Sequence, residues 1–297
     1  MREPPVGLPV AQVLAAVRRH WDDRLDRVEH LPVGFGAHHW AAYAGPRPRL
    51  FVTLDGLGPR HSAATLEAAY AGAAALRDAG LEFVLASVPT LEGTLTTPLL
   101  DGALSCTPWR VGATDGPDDP TWTAATLARL HATSPPPDLP RWRPLVAADL
   151  ADATAALTRR AWGPGPHADA ARDAVRRHLG AIEVWTARYH HLAGVARDRG
   201  WVATHGEPGG HNQLVTAEGR ILVDWESSKL APAERDLRTL VDAGVETDAD
   251  PAMLELFDLE WRLDEVSQYT AWFAAPHAGT ADDEIAFAGL LEELERE

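Results

Sequence analysis

The sequence contains one cysteine, Cys106, and one lysine, Lys229, among 297 residues. One thiol cannot form an internal disulfide or supply the cysteines of a zinc site, which is typical of proteins in a reducing compartment. Free cysteine is usually buried, so we interpret Cys106 as a small apolar core residue. The remaining basic residues are arginines. Lysine is therefore excluded as the cation of any anion site outside the neighbourhood of Lys229.

Long apolar runs and excess positive charge are also missing. No segment approaches the roughly 18 to 20 apolar residues of a membrane span, and the first ten residues do not resemble a signal peptide. A net charge of −16 argues against a nucleic-acid partner, because phosphate backbones attract clustered Lys and Arg. We therefore expect a cytoplasmic protein without membrane or nucleic-acid partners, and a cationic small molecule as ligand. The oligomeric state stays open.

Glycine and proline divide the chain into two regions. Residues 1–112 predict a small antiparallel sheet, with one helix before it and an alanine-rich helix, ended by Gly80, inserted in it. The strands are predicted at 31–45, 48–57, 81–88 and 103–111. After a Pro- and Gly-rich connector, residues 113–297 are predicted to be mainly helical, with Thr121 capping the first helix and further helices at 145–161 and 168–198.

The stretch THGEPGGHN at 204–212 is too rich in glycine and proline to be a helix or a strand. It follows an apolar strand and precedes QLVTAEGRILVDWE, which predicts a hairpin turning at 217–219. Such a hairpin brings Asn212 close to Asp224. Their oxygens suit magnesium, which prefers one or two carboxylates plus phosphate oxygens. Glu207, in the same loop, is placed to accept a proton from an attacking hydroxyl.

These motifs resemble the aminoglycoside phosphotransferase family. The match consists of HGE-x4-N followed by DWE, LARLHA at 127–132 and LAPAERDL at 230–237, and it covers most of the chain. Glutamate in the loop, where most members have aspartate, resembles the spectinomycin phosphotransferase-like branch. The resemblance implies an α+β, two-lobed protein-kinase-like fold. Residues 1–112 would form a β-rich nucleotide-covering lobe, and residues 113–297 a mainly helical catalytic and substrate-binding lobe.

Carried over to this chain, the resemblance implies that Glu207 is the catalytic base, which contacts the substrate, and that Asn212 and Asp224 bind Mg²⁺. Glu226 is either a further contact near the metal or an exposed acid without a special role. Replacing aspartate with Glu207 adds a methylene, and displacements of this size in a catalytic group can cost about a hundredfold in rate. Pro208 and the neighbouring glycines could shape a loop that accommodates the longer side chain.

The predicted nucleotide-binding residues lie in the first region. Gly34, Phe35, Gly36 and Ala37 occupy the place of a glycine loop that covers the phosphates of ATP or GTP, although a G-x-G pair alone also suits a plain hairpin turn. Trp109 could lie against the nucleotide base or simply fill the core.

The strand FVTL departs from the family pattern, because Thr53 stands where these kinases carry a phosphate-binding lysine. A threonine can donate a hydrogen bond to phosphate but brings no charge. Arg60 or Arg110 is a candidate substitute. Glu67, on the alanine-rich helix, would ordinarily position the lysine, so here it is either a solvated charge or a partner for an arginine.

Two further groups of residues are weighed against ordinary structural roles. His205 and His211 lack a third zinc ligand, and we interpret His205 as a donor that braces the loop. In the C-terminal helix, Asp258, Trp261 and Glu265 share one face. Trp261 and Glu265 are predicted to contact an amino-sugar-like substrate, whereas the alternative is a helix with one buried stripe.

The resulting prediction is a small-molecule O-phosphotransferase. It would move the γ-phosphoryl group of a nucleoside triphosphate to a hydroxyl of a small, cationic, antibiotic-like natural product, with Mg²⁺. The alternatives are a catalytically impaired kinase-like binding protein, favoured by Thr53 and Glu207, and another use of the metal site such as hydrolysis. Resistance, self-protection and biosynthesis are all compatible with this chemistry.

Overall fold

The structure, a computed structural model, describes residues 1–114 and 119–296. Its first helix, α1 (Val10–His20), precedes a five-stranded antiparallel sheet. The strands are β1 (Arg27–Leu31), β2 (His38–Ala44), β3 (Arg47–Gly56), β4 (Thr96–Leu99) and β5 (Gly102–Pro108), in the spatial order β1-β2-β3-β5-β4. Helix α2 (Ala63–Asp78) is inserted between β3 and β4. The predicted antiparallel sheet, with one helix before it and one inserted helix, is confirmed. Strands β1 and β4 were not predicted, and residues 32–37 of the predicted strand at 31–45 form the loop between β1 and β2.

Alternation along β3 gives the sheet two different faces. Val52 and Leu54 point into an apolar core that α1 covers, and Cys106 is fully buried in the same core. The interpretation of Cys106 as a core residue is confirmed. Phe51 and Thr53 lie on the opposite face of the strand, where the sequence predicts the nucleotide.

The prediction of a strand at 81–88 is wrong. Val84 forms only an isolated bridge with Leu222. The amide of Leu222 donates to Phe83 O (2.7 Å). The apolar side chains of Phe83 and Val84 are buried in a second core, and the place next to β5 is taken by β4. The apolar pattern of this segment therefore reflects core packing and not membership of the sheet.

The helix ends follow local capping chemistry. Ser62 and Thr65 form a capping box at the start of α2, and Gly80 adopts φ 94° just after its end, which a residue with a side chain rarely does. Helix α3 (Pro120–Ala132) is capped by Asp119, whose carboxylate accepts from Trp122 N (2.9 Å). The prediction of Thr121 as the cap is wrong, because Pro120 already occupies the first helical position.

A second set of short strands surrounds the predicted catalytic loop. Strand β7 (Val202–Thr204) pairs with β10 (Lys229–Ala231), and β8 (Gln213–Thr216) pairs with β6 (Gly112–Ala113) and β9 (Gly219–Leu222). The β8–β9 register joins Thr216 to Gly219, so the predicted hairpin is confirmed. Helix α7 (Glu234–Asp242) follows β10.

The remaining helices are α4 (Leu150–Thr158), α5 (Ala168–Arg177), α6 (Leu179–Ala196), α8 (Pro251–Ala274) and α9 (Ala281–Glu295). Helix α4 is shorter than the predicted 145–161. The predicted helix at 168–198 is two helices, because His178 leaves helical geometry with ψ near 7°. Helix α8 packs against α5, α6 and α9.

The chain divides into two compact units. One contains Met1–Trp142 and Gly200–Asp248, and the other contains Arg143–Arg199 and Ala249–Glu297. The first unit therefore holds both the five-stranded sheet and the predicted catalytic loop. The division differs from a boundary at residue 112, because β6 pairs with β8 beyond it. Assignment of residues 1–112 and 113–297 to nucleotide covering and to catalysis stays a prediction.

No helix in the described ranges, 1–114 and 119–296, has both the length and the apolar character that crossing a membrane requires.

Candidate active site

The loop that follows β7 is held by one buried carboxylate. Asp236, on α7, accepts from the backbone amides of His205 (3.1 Å) and Gly206 (2.6 Å), and His131 on α3 contacts its Oδ2 (2.9 Å). Burial tends to raise the pKa of Asp236, but hydrogen bonding to His131 and nearby positive charges bring it below its ordinary value. Asp236 is therefore ionised and fixes the backbone just before Glu207. The segments LARLHA and LAPAERDL contribute these two residues.

His205 braces the same loop from inside. Its Nε2 donates to Val223 O (2.8 Å), and its Nδ1 accepts from Glu207 N (3.2 Å). Burial lowers the pKa of His205, which agrees with a neutral ring that donates through one nitrogen and accepts through the other. These contacts support the interpretation of His205 as a bracing residue.

The β8–β9 hairpin connects Asn212 to Asp224. Asn212 Nδ2 donates to Glu207 O (3.0 Å), and Val223 N donates to Asn212 O (3.0 Å). Asp224 follows at φ 68°, a left-handed conformation that aspartate tolerates better than most residues. Asp224 is exposed, whereas Asn212 is buried. The two predicted metal ligands are thus attached to the two ends of one hairpin.

Carboxyl groups cluster around Asp224, and the cluster opposes the ionisation of its members. Burial and the charge of Asp224 raise the pKa of Asp55 to about 7. The pKa of Glu226 is raised well above its ordinary value, through burial, the charge of Asp224 and a hydrogen bond with Asp224. Its Oε2 is buried without a hydrogen-bond partner. Glu226 is therefore not an exposed acid, and this group of oxygens fits a bound cation.

The described part of the chain contains no three or more His, Cys, Asp or Glu side chains that converge on a metal position. A cation here would have few protein ligands. Magnesium commonly binds through one or two protein oxygens and completes its shell with phosphate and water. The Asn212 and Asp224 pair has the chemistry of such a site.

Glu207 has the properties that a base at this position needs. Burial tends to raise its pKa, but the nearby His211 (Nε2 to Oε2, 3.9 Å) and the charge of Arg60 bring it below the ordinary value for glutamate. About a third of its side chain stays open, at 32% exposure. Glu207 is therefore ionised at neutral pH and accessible to another molecule.

The predicted glycine loop joins β1 to β2. Gly34 and Gly36 have φ of 70° and 94°, so this loop depends on glycine at both positions. A Cβ at Gly34 would lie 3.1 Å from His39 Nε2, and His39 Nδ1 contacts Thr53 Oγ1 at 3.2 Å. The loop, His39 and Thr53 are therefore neighbours on one side of the sheet. Phe35 is exposed in this loop.

His39 does not replace the charge of a lysine. Burial, with nearby positive charges, lowers its pKa to about 3, so its ring is neutral at physiological pH. Thr53 is also neutral and is only 9% exposed. The position predicted to contact the phosphates thus brings hydrogen bonding without charge.

Glu67 differs from both of its predicted alternatives. Its carboxylate accepts from Leu95 N (2.7 Å), Thr96 N (2.9 Å) and Thr96 Oγ1 (2.6 Å). It is neither a solvated charge nor a partner for an arginine. With no lysine to hold, Glu67 instead ties α2 to the start of β4.

Trp109 lies at the end of β5, partly buried. Its ring is 6.4 Å from that of Phe51, which in turn is 5.0 Å from the ring of His39. These rings form a row on the face that carries Thr53. Trp109 thus packs against Phe51, and a contact with a nucleotide base stays a prediction.

Trp261 and Glu265 belong to α8 in the second compact unit. Trp261 Nε1 donates to Glu293 Oε1 (3.0 Å), and Asp258 accepts from Arg296 Nη1 (2.7 Å). Glu265 is 9% exposed. Trp261 and Asp258 therefore join α8 to the α9 region, as the structural alternative expects. Substrate contact by Trp261 and Glu265 stays a prediction.

Sequence reasoning missed three residues of this site. His39 lies directly opposite Thr53 in the β2–β3 register, which strand alternation could have indicated. Asp55 follows Thr53 by two positions and so shares its face. Asp236 lies inside a quoted motif, but no local pattern reveals that its carboxylate reaches back to the loop.

Comparison with known proteins identifies the family. The profile of the phosphotransferase enzyme family (APH) matches residues 27–274, most of the chain, and the chain belongs to this family. It is 30% identical over 294 residues to protein StrN of Streptomyces griseus, covering 92% of this chain and 88% of StrN. The predictions of the family and of a phosphotransferase enzyme are confirmed.

Two kinds of solved structure share the fold. Spectinomycin phosphotransferase APH(9)-Ia, solved with ADP and spectinomycin, matches with a TM-score of 0.69 at 16% identity, covering 96% of this chain and 94% of its own. A microcompartment-associated aminopropanol kinase matches with a TM-score of 0.60 at 14% identity, covering 96% and 95%. The predicted α+β, kinase-like fold is confirmed.

Proposed function

We propose that this protein transfers the γ-phosphoryl group of ATP or GTP, with Mg²⁺, to a hydroxyl of a small cationic natural product. The observation that carries this proposal is the single loop that presents ionised Glu207, with Asn212 bonded to its backbone and Asp224 at the far end of the same hairpin. Such a loop supplies a base beside a cation site, which phosphoryl transfer to a hydroxyl needs.

Each residue has a distinct task in this proposal. Glu207 orients the acceptor hydroxyl and takes its proton. Asn212, through its amide oxygen, and Asp224, through its carboxylate, would hold Mg²⁺, which neutralises phosphate charge when bound. Asp236 and His205 keep the loop backbone in place, so Glu207 need not reorganise during the reaction.

The nucleotide would lie along the face that carries Thr53. Backbone amides of Gly34, Phe35, Gly36 and Ala37 can cover its phosphates, because successive amides in a glycine turn attract anions. The Thr53 hydroxyl can add one hydrogen bond, and Trp109 offers a ring for the base. The nucleotide complexes of APH(9)-Ia, with ADP and with AMP, support this arrangement by analogy of fold.

The acceptor is proposed from charge. The chain carries a net charge of −16, and α8 contributes several buried acids, including Glu265. Together with Trp261, these favour a small cationic ligand over an anionic one. A cytoplasmic location suits an enzyme that uses ATP. The same chemistry would serve antibiotic resistance, self-protection or biosynthesis.

Calorimetry tests the nucleotide part directly. Titration with ATP and GTP, with and without Mg²⁺, should give magnesium-dependent binding to the wild type. Asp224→Asn should remove the magnesium dependence of nucleotide binding. Asparagine tolerates the left-handed backbone conformation of Asp224, and thermal unfolding should confirm that the variant is folded. Absence of binding by either nucleotide would overturn the proposal.

A second candidate, a kinase-like binding protein without useful turnover, is favoured by the uncharged pair of Thr53 and His39. Both candidates bind nucleotide, so turnover distinguishes them. Slow hydrolysis of ATP by water can be followed before the acceptor is known. If the wild type hydrolyses ATP and Glu207→Gln lowers the rate, the result supports the enzyme. If the wild type releases no ADP, even when cationic acceptors are supplied, the result supports the binding protein.

A further inference from the structure

Phosphoryl transfer requires positive charge around the moving phosphate, and the strand position that usually supplies it is neutral here. Thr53 has no charge, and the low pKa of His39 leaves its ring neutral. The carboxyl groups of Asp55, Asp224 and Glu226 add no positive charge to this side of the site. Arginine and lysine side chains on other elements of the first compact unit are the candidates to supply positive charge in addition to Mg²⁺.

Arg235 is one cation that directly contacts the catalytic loop. Its Nη1 donates to Thr204 Oγ1 (3.0 Å) at the end of β7. Gly206 has φ 107°, and a Cβ built on it would lie within 2.5 Å of the guanidinium carbon of Arg235. The planar guanidinium thus lies against the backbone immediately before Glu207.

Lys229, the only lysine, is placed beside the same loop by the sheet register. Lys229 pairs with Thr204 in the β10–β7 ladder, so their side chains project to the same side. Thr204 Oγ1 donates to Lys229 O (2.8 Å) while it accepts from Arg235. Lys229 and Arg235 therefore flank one residue, Thr204.

Arg60 approaches from the loop between β3 and α2. This loop is closed by a hydrogen bond from Gly58 N to His61 O (2.9 Å) and anchored by the capping box of α2. Burial, with the charges of Lys229, Arg60 and Arg235, lowers the pKa of His61 to about 4, while Glu207 opposes the shift. Arg60, Lys229 and Arg235 therefore all influence His61, and Arg60 also lowers the pKa of Glu207.

We propose that Arg60 and Lys229, with Arg235 behind the loop, form an anion site beside Glu207 that receives the transferred phosphoryl group in place of a strand lysine. The identity of this anion rests on the proposed function. Arg60 and Lys229 contact phosphate oxygens, and Arg235 is a positioning residue that supports the loop at Gly206. In this proposal, the cations that bind phosphate lie beside the catalytic loop and not on the strand that carries Thr53.

A structural explanation competes with this one, since these cations could simply balance the charge of Glu207. The two explanations differ in what the cations bind. Charge balance alone predicts changed stability without changed phosphate affinity. An anion site predicts weaker binding of polyphosphate with unchanged binding of a nucleoside monophosphate.

The test is calorimetry of the full chain with two probes, tripolyphosphate and AMP, in metal-free buffer. Arg60→Ala and Lys229→Ala should each weaken tripolyphosphate binding about tenfold, the effect of losing one charge-assisted contact, and leave AMP affinity within about twofold. Arg60→Lys should retain most of the affinity. Arg18→Ala, which removes an exposed arginine of α1, is the matched control and should change neither.

Thermal unfolding of every variant confirms that the comparison is between folded proteins, and Arg60→Gln replaces Arg60→Ala if the latter unfolds. The inference is overturned if the wild type does not bind tripolyphosphate, or if Arg60→Ala and Lys229→Ala both leave the affinity unchanged. It is also overturned if Arg110→Ala, and not these two variants, lowers the affinity for tripolyphosphate. The proposed function survives those results if Mg-ATP still binds. Cluster-dependent tripolyphosphate binding without any nucleotide binding supports the anion site and overturns the proposed function.

Discussion

The candidate catalytic loop and the side of the sheet that carries Thr53 belong to the same compact unit but are built differently. The loop is fixed by ionised Asp236, neutral His205 and the amide of Asn212, each with a definite partner. The sheet face instead presents Thr53 and His39, bonded to each other and uncharged.

The contrast shows which requirements of phosphoryl transfer are local. A base must sit at one place relative to the acceptor and the cation, so the loop needs a specific backbone. Charge acts over longer distances and can be supplied from several directions. The loop therefore keeps its geometry, while the cation of the sheet could be moved to a neighbouring element.

The largest expected effect is on the base. Glu207→Gln should lower turnover about a hundredfold, because glutamine cannot accept the proton, and should leave Mg-ATP affinity nearly unchanged. Release of ADP, with water or an accepted natural product as acceptor, measures it. A fall in turnover of less than threefold would mean that Glu207 is not the base, and that the geometry of the loop does not serve proton transfer.

The pH profile of the wild type follows from the lowered pKa of Glu207. The base is active when ionised, so its contribution rises with pH and is lost only as pH falls through a pKa below the ordinary value of about 4.3. From pH 6 to 8, turnover should therefore not change through this group. A midpoint near pH 6 that Glu207→Gln abolishes would contradict this expectation.

The backbone of the loop should be the next most sensitive feature. Gly206→Ala introduces a Cβ at φ 107° and against the guanidinium of Arg235. We expect a loss of roughly 1 to 3 kcal/mol in the free energy of unfolding, from backbone strain. Gly58→Ala is the control, because its Cβ meets nothing within 4 Å. Equal denaturation midpoints for the two variants would show that the loop backbone is less constrained than we infer.

The sequence predicted the arrangement of candidate site residues that lie close together along the chain. Glu207, Asn212 and Asp224 belong to one loop and one hairpin, so spacing alone predicted their arrangement. It was less informative where contacts join distant segments. The carboxylate of Asp236 reaches the loop from α7, and Glu67 bonds to the backbone of β4, which no local pattern indicates. The segment 81–88 misled because burial, not pairing, explains its apolar residues.

A smaller effect is expected from the buried acid of the sheet face. Asp55 accepts from Tyr70 OH (2.9 Å) and has a pKa of about 7, raised by burial and by Asp224. Because this pKa exceeds its ordinary value, the folded state favours protonated Asp55. Its contribution to stability is complete below about pH 3.9 and is lost as pH rises through 7.

Asp55→Asn removes this dependence while keeping an oxygen for Tyr70. The variant should match the wild type near pH 4 and be more stable at pH 8 by roughly 1 to 2 kcal/mol. Urea denaturation at both pH values measures the difference. An equal difference at the two pH values would mean that Asp55 does not titrate as inferred, and that the sheet face is less acidic than the comparison assumes.

The smallest effect is expected at Thr53, the position where the family resemblance places a lysine. Thr53→Val removes the hydroxyl that contacts His39 and keeps the shape of the side chain, so the free energy of unfolding should fall by about 1 kcal/mol or less. Mg-ATP affinity should change less than about threefold, because the hydroxyl brings no charge. A tenfold loss of affinity in calorimetry would mean that Thr53 itself carries the phosphate contact. The sheet face would then be an active part of the site, and the cations beside Glu207 would add to it instead of replacing it.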